Sequence, residues 1–180
     1  MNTHKEILTE QIVVYGDIRT DSSKIDNKLV TERIAQDASK QPHTFDNLYH
    51  DININYHGQH SWIFDLIREN INVHAKVNFI NYKNWANSEG FNQNSFKRST
   101  LDPNQIKGQP DYTLIYITNA GDNAGELVLE FDSPVEKDKY FWVPVKTGNF
   151  YLFNSNINYY FTRNLDKENR VSMTWTCSKR

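Results

Sequence analysis

From Gln109 to Thr176 the chain is a succession of short β-type runs, and few folds accept so many of them in a row. They read PDYTLIYITNAG, GELVLEFDSP, YFWVPVKTGNFYLFNS, NYYFTRN and RVSMTWT. Each is rich in Ile, Val, Tyr, Phe, Trp or Thr, and turn residues such as Asn119-Ala120-Gly121-Asp122-Asn123 and Lys146-Thr147-Gly148-Asn149 separate them. Leu127, Leu129 and Phe131 interleave with Glu126, Val128, Glu130 and Asp132, a pattern with one buried and one wet face. Closely spaced short strands with Gly-bearing turns predict a jelly roll or double-stranded β-helix.

The preceding residues supply helices to cover such a roll. Glu6 to Tyr15 ends in an apolar run that predicts an edge strand. Asp21, Ser22 and Ser23 offer helix caps, and Ile25, Leu29, Val30, Ile34 and Ala38 then recur at helical spacing, predicting an amphipathic helix over 24–38. Ser61 to Ala75 predicts a second helix, with Trp62, Leu66, Ile67 and Ile71 on one face and Ser61 as N-cap. Lys76 to Trp85 alternates as a strand. Asn87 to Pro110 is a long polar loop, of a length that usually has a function or is held by a partner. The expectation is one α+β domain over 1–180: an N-terminal strand and helices over 1–75, packed on one sheet of a β-rich jelly-roll core over 76–180.

Bulk properties exclude several function classes. Twenty basic residues against 22 acidic ones give a formal charge of −2, with no basic block to track a phosphate backbone, so no nucleic-acid partner is expected. The single Cys177 allows neither an intrachain disulfide nor a multi-Cys zinc site, and no His follows it to activate a thiol. No apolar run approaches the roughly 20 residues that span a bilayer, and the polar N-terminus lacks a signal-peptide core. A soluble protein made in the cytoplasm, with no membrane partner, is therefore expected. Asn, Ile and Lys are frequent, as in an AT-rich genome.

The order of motifs in the β-rich half resembles a known family. Tyr116-Ile117, then Gly125-Glu126-Leu127, then Pro144, Gly148, Leu152-Phe153 and Ser155, and finally Arg170-Val171-Ser172-Met173 are similar to the C-terminal half of 2-oxoglutarate/iron(II)-dependent oxygenases. The likeness is to their small prolyl-hydroxylase-like and phage-encoded members and covers Asn84 to Trp175. It implies a jelly roll with a helical layer, and iron held by two His and a carboxylate, or by three His. It also implies that the first two ligands follow a Trp-x-Asn segment, here Trp85-Ala86-Asn87. They would fall at Asn94 and Phe96 or, if the loop is an insertion, near Asp111, which could supply the carboxylate. The third would fall at Tyr159. None of these positions is a His, and none lies beyond His74. Asn and Tyr are poor iron(II) ligands beside imidazole, so no metal and no cofactor are expected. Arg170 and Ser172 match the Arg-x-Ser that clamps the distal carboxylate of 2-oxoglutarate, and Tyr116 is a candidate hydroxyl partner, together a relic co-substrate pocket. Strand alternation puts Arg170, Ser172 and Thr174 on one face, and Val171, Met173 and Trp175 on the other. Alternatively Arg170 pairs with Asp166 or Glu168 in its own turn, or lies exposed at a strand edge.

Other constellations carry less. His50-Asp51 and His57-Gly58-Gln59-His60 read as surface or capping histidines before they read as a zinc site from Asp51, His57 and His60. No G-x-S-x-G, P-loop or G-x-G-x-x-G is present. The expected function is that of a catalytically inactive oxygenase-like jelly roll, used as a structural or interaction module among other protein subunits of a larger assembly. A tailed-phage virion component (neck, tail or decoration protein) is its most concrete version. Two alternatives stay open. One is an active dioxygenase using iron(II) and 2-oxoglutarate through an atypical site built on Asp111 and a distant His. The other is a sugar- or small-ligand-binding roll in which Tyr140, Trp142, Tyr151, Tyr159 and Tyr160 stack on ligand faces.

Overall fold

A computed structural model describes residues 2–8, 11–18, 25–40, 52, 54, 59–101, 104, 107–131 and 139–180. The edge strand expected at the start of the chain is a hairpin instead. Strands β1 (Asn2–Leu8) and β2 (Gln11–Asp17) pair antiparallel, with Asn2 opposite Asp17 and Leu8 opposite Gln11. Helix α1 (Asn27–Ser39) is capped by Asp26, whose side chain accepts the Leu29 N–H at 3.0 Å. The Asp21–Ser23 cap candidates lie outside the described residues. Helix α2 (Gln59–Ala75) begins before Ser61, which sits inside the first turn rather than capping it. Its buried side is Ile63, Phe64, Ile67 and Ile71, while Trp62 is 37% exposed. Trp62 therefore lies at the rim of the apolar stripe, and the smaller Ile63 and Phe64 take its place against the sheet.

Seven further strands follow: β3 (Phe79–Glu89), β4 (Tyr112–Asn119), β5 (Glu126–Glu130), β6 (Tyr140–Pro144), β7 (Asn149–Asn154), β8 (Asn158–Phe161) and β9 (Arg170–Lys179). They form two antiparallel sheets, a major one ordered β1-β2-β7-β4-β9-β3 and a minor one ordered β6-β5-β8. The N-terminal hairpin thus extends the major sheet through β2, which pairs with β7 from Val13 opposite Phe153 to Asp17 opposite Asn149.

The segment read as a polar loop over 87–110 is partly ordered by the sheets. Its first residues complete β3. Further on, Arg98 and Tyr159 exchange backbone hydrogen bonds of 3.0 and 2.8 Å, and the Ser95 N–H donates to the Phe161 carbonyl at 3.2 Å. The cause is the free edge of β8, whose N–H and C=O groups need partners wherever they are buried.

The major sheet is buried on both faces. On one side, Val30 and Ile34 of α1 and Ile63, Phe64, Ile67 and Ile71 of α2 pack with Leu114, Leu152, Met173 and Trp175. On the other, Ile115, Ile117 and Phe153 meet Leu127, Leu129 and Phe161 of the minor sheet. Each fully buried Ile, Leu or Phe contributes about 1.5–3 kcal/mol, so two such layers supply the main driving force for this arrangement. On the outer face of the minor sheet Val128 is buried as well, flanked in register by Trp142 and Tyr160. Among the described residues no helix is long and apolar enough to cross a membrane.

Cys177 reports on the integrity of this core. It is fully buried on β9, opposite Asn81 of β3 and Tyr112 of β4, and burial pushes its thiol up, away from the reactive thiolate. Labelling with a thiol reagent should therefore be negligible in native buffer and complete in denaturant, at a native rate set by opening of β9. Prompt stoichiometric labelling of the folded protein would contradict this packing.

Candidate functional site

Alternation along β9 divides its side chains between two environments. Val171, Met173, Trp175 and Cys177 join the helix-side core, while Arg170, Ser172 and Thr174 face the inside of the roll. β3 lies beside β9 in antiparallel register, with Trp85 opposite Thr174, Asn87 opposite Ser172 and Glu89 opposite Arg170. Trp85, Asn87 and Glu89 therefore share the interior face with the polar side of β9. Tyr159 and Phe161 of β8 close the space from the minor sheet.

Arg170 is fully buried. Its Nε donates to Glu89 Oε2 at 3.0 Å, and its Nη1 donates to the Ala124 carbonyl and, at 2.9 Å, to that of Thr162. The guanidinium carbon lies 4.6 Å from the centre of the Phe161 ring. Gly125 permits this approach: it has a φ of +83°, and a Cβ there would lie 2.6 Å from Thr162 Oγ1 and 3.2 Å from Arg170 Nη1. Among the described residues Arg170 Nη2 and Ser172 Oγ, both buried, have no hydrogen-bond partner.

Glu89 is 1% exposed. Burial pushes its carboxyl above the ordinary carboxylate range, against the opposing pull of the Arg170 charge and hydrogen bond and of the Arg98 charge. Arg98 is the third charged group of the interior. It stands opposite Tyr159, its guanidinium 5.7 Å from the ring centres of both Trp85 and Tyr159, and its Nη2 donates to Asn87 Oδ1 at 3.3 Å.

The residues singled out from sequence separate cleanly. Arg170 and Ser172 come together inside the roll. Arg170 pairs with Glu89 and not with Asp166 or Glu168; the Asp166 carboxylate accepts the N–H groups of Glu168 at 3.2 Å and of Asn123 at 3.4 Å instead. Tyr116 does not join them. It faces the helices, where its hydroxyl donates to Asn27 Oδ1 at 2.7 Å, because even positions of β4 point away from the roll. Asp111 is also misplaced as a metal carboxylate. It is exposed and accepts the Lys179 N–H at 2.7 Å, at the end of β9 remote from Arg170. Nine residues of strand, at about 3.3 Å each, put roughly 30 Å between the two ends. Asn94 and Phe96 face solvent, Phe96 being 63% exposed. Ser95 is the inward residue of that stretch, and its hydroxyl accepts the Phe161 N–H at 2.6 Å. Tyr159 is buried in the roll as its position required, and so is Tyr151, whose hydroxyl donates to the Pro144 carbonyl at 2.8 Å. Neither can stack on a ligand from solvent. Of the zinc candidates, Asp51 and His57, like His50, lie outside the described residues, while His60 is buried in α2.

Sequence reading missed Glu89 and Arg98. Alternation from Trp85 through Asn87 would have reached Glu89 had the strand been extended past Trp85. Nothing in the local pattern marks Arg98, whose placement follows from the edge of β8.

These residues do not fit iron(II) and 2-oxoglutarate, the groups the resemblance implies. A facial iron site needs imidazole and carboxylate donors converging on one point. Here the roll holds one carboxylate against two guanidiniums, and among the described residues no three His, Cys, Asp or Glu come together. The guanidinium that would clamp a co-substrate carboxylate already holds Glu89.

Loss of Arg170 should expose that balance. In Arg170→Met the Glu89 carboxyl loses its largest downward pulls, so its pKa in the folded state rises further above the unfolded value. A carboxyl raised on folding holds its proton more tightly in the native state, so stability falls as pH climbs through that window. The variant should lose about 3–5 kcal/mol at neutral pH, less under mildly acidic conditions, and recover part of it on adding Glu89→Gln. Denaturant melts across pH provide the check; a loss independent of pH would reduce Arg170 to a packing residue.

No protein-family model and no curated protein matches the sequence. Solved structures do resemble it. The chain is similar to a prolyl-4-hydroxylase from Pseudomonas putida at a TM-score of 0.63 and 14% identity, over 93% of this chain and 92% of that one. It is similar to a viral collagen prolyl hydroxylase from Paramecium Bursaria Chlorella virus-1, in complex with 2OG, at 0.58 and 14%, over 92% and 96% of the two chains. A member of the 2OG-Fe(II) oxygenase family from Burkholderia pseudomallei matches at 0.54 and 9%, over 83% and 77%. At such low identity the likeness is one of fold, and the fold is the double-stranded β-helix of the prolyl-hydroxylase-like oxygenases.

Proposed function

We propose that this chain is a non-catalytic protein built on the oxygenase fold, serving as a structural or interaction module within an assembly of protein subunits. One observation carries the proposal. Directly across from Tyr159, where the third iron ligand would fall, stands Arg98, with its guanidinium against Tyr159 and Trp85. A fixed cation there opposes a divalent metal by direct repulsion, and replaces the imidazole-rich surroundings that oxygenase chemistry requires. The interior then works as a polar core that fixes the two sheets, while contact with other proteins falls to the outside.

The outer face of the minor sheet suits that role. Tyr140 and Trp142 are 47% and 51% exposed on β6, beside a Lys97–Glu130 ion pair of 2.6 Å. Exposed aromatic side chains of this kind are common anchors of protein interfaces. In its narrower form the proposal makes the chain a neck, tail or decoration protein of a tailed-phage virion. An AT-rich composition and the frequency of jelly rolls among virion proteins support that form.

Protein purified without chelator should contain no stoichiometric iron, and should convert no 2-oxoglutarate to succinate above background when supplied with iron(II) and oxygen. Turnover abolished by substituting a specific residue of this chain would overturn the non-catalytic reading and favour an oxygenase with an atypical site. Recovery of the chain in purified virions, at a fixed copy number, checks the narrower form.

A further inference from the structure

We propose that the cleft between α1 and the adjoining end of the major sheet is a binding site for an uncharged saccharide. It lies on the helix side of the sheet. Ser88 and Val171, register partners on β3 and β9, line it, while their neighbours Glu89 and Arg170 face the roll. The inference goes beyond the non-catalytic reading and does not require it.

The cavity measures about 600 Å³, within the roughly 300–1,000 Å³ of small-molecule sites. Its floor is apolar, made by Ile34 of α1, Ile52 and Val171, each at most 4% exposed. Room is left on the α1 wall because Ala35 and Ala38 end at Cβ.

The polar wall is a set of carboxamides whose orientation the backbone decides. Asn119 Nδ2 donates to the Asn169 carbonyl at 2.8 Å, and Gln93 Oε1 accepts the Gly90 N–H at 2.6 Å. A carbonyl only accepts and an N–H only donates, so neither amide can be turned round. What Asn119 can still offer a ligand is the acceptor Oδ1, and what Gln93 can offer is the donor Nε2. Asn169 adds a second acceptor, since its Nδ2 donates to Ser88 Oγ at 3.3 Å.

This lining selects a chemical class. Among the described residues no ionisable side chain lines the cavity, so a charged ligand would lose water without gaining a counter-charge. No aromatic ring lines it, so a planar base has no stacking partner. A purely apolar ligand would leave the carboxamides unmet. A sugar ring answers all three conditions. Each hydroxyl both donates and accepts, so neighbouring hydroxyls can meet Asn119 Oδ1 and Gln93 Nε2 together, and the C–H face of the ring covers the isoleucine and valine floor.

The test is saturation-transfer NMR on the full chain with glucose, galactose, mannose, N-acetylglucosamine and maltose, and with glucuronate as the charged counterpart. At least one neutral sugar should give a saturable signal, and glucuronate none. A preference for maltose over glucose would mark the ligand as part of a glycan chain, and the reverse a free monosaccharide. Gln93→Glu keeps the acceptor for the Gly90 N–H and turns the free end from donor to acceptor, so affinity should fall at least about tenfold. Ala35→Phe, at an exposed helix position, should fill the cleft and abolish binding. Trp142→Ala, on the outer face of the minor sheet, should leave it unchanged. Thermal melts establish that each variant is folded, and either cleft variant alone suffices for the comparison. Silence with every neutral sugar, equal binding of glucuronate, indifference to the cleft variants, or loss in Trp142→Ala overturns the proposal. Oxygenase turnover would overturn the non-catalytic reading and leave this site as it stands.

Discussion

The structure depends on one strand being buried on both sides. β9 lies between β4 and β3 in the major sheet, with the helices over one face and the minor sheet over the other. Its sequence, RVSMTWTCSK, meets both demands by alternation: Val, Met, Trp and Cys toward the helices, Arg, Ser and Thr toward the roll. A register slip of one residue would drive Arg170 into the helix-side core and Trp175 into the polar interior, so the strand tolerates no alternative pairing.

The cost of this arrangement falls on Arg170. Desolvating a guanidinium and a carboxylate costs several kcal/mol for each, and their mutual attraction offsets that only with good geometry and further hydrogen bonds. Here the further partners are the Ala124 and Thr162 carbonyls and the face of Phe161. Even so, apolar side chains of equal volume would serve stability as well or better, so stability alone does not account for the pair. Register offers a reason for it. With Glu89 and Arg170 at facing positions, any shift of β3 against β9 would strand one charge in the interior, a penalty larger than a mismatch of methyl groups.

How much of this could be read from the sequence follows the range of the interactions involved. The two sheets, both helices and the split faces of β9 were legible, because strand and helix periodicity are local properties and apolar stripes need a surface to cover. The side chains of α2 were misjudged at Trp62 because periodicity gives a stripe but not its centre. Tyr116 was assigned to the roll from its chemistry, when its position in β4, alternating with Ile115 and Ile117, puts it on the opposite face. Glu89 and Arg98 were missed for a different reason: each acquires its role from a strand distant in sequence, β9 for one and β8 for the other. The site was therefore half visible, through the residue whose motif is local, and its partners were not.

The two cores also explain how an oxygenase fold can persist around an interior with different chemistry. The helix-side core contains none of the residues that the resemblance assigns to metal binding, and it alone packs the six-stranded sheet against both helices. The interior core needs only apolar contacts near β5 and β7, and internal satisfaction of its polar groups, to hold the sheets together. Imidazoles and a bound dicarboxylate are one way to satisfy that region. A guanidinium between two aromatic rings, and a second guanidinium held by a carboxylate of the chain itself, are another. Each answers the same physical demand, that every buried charge has a partner. That demand concerns the pairing of charge and is indifferent to what else the arrangement can bind, so the fold by itself does not decide the function.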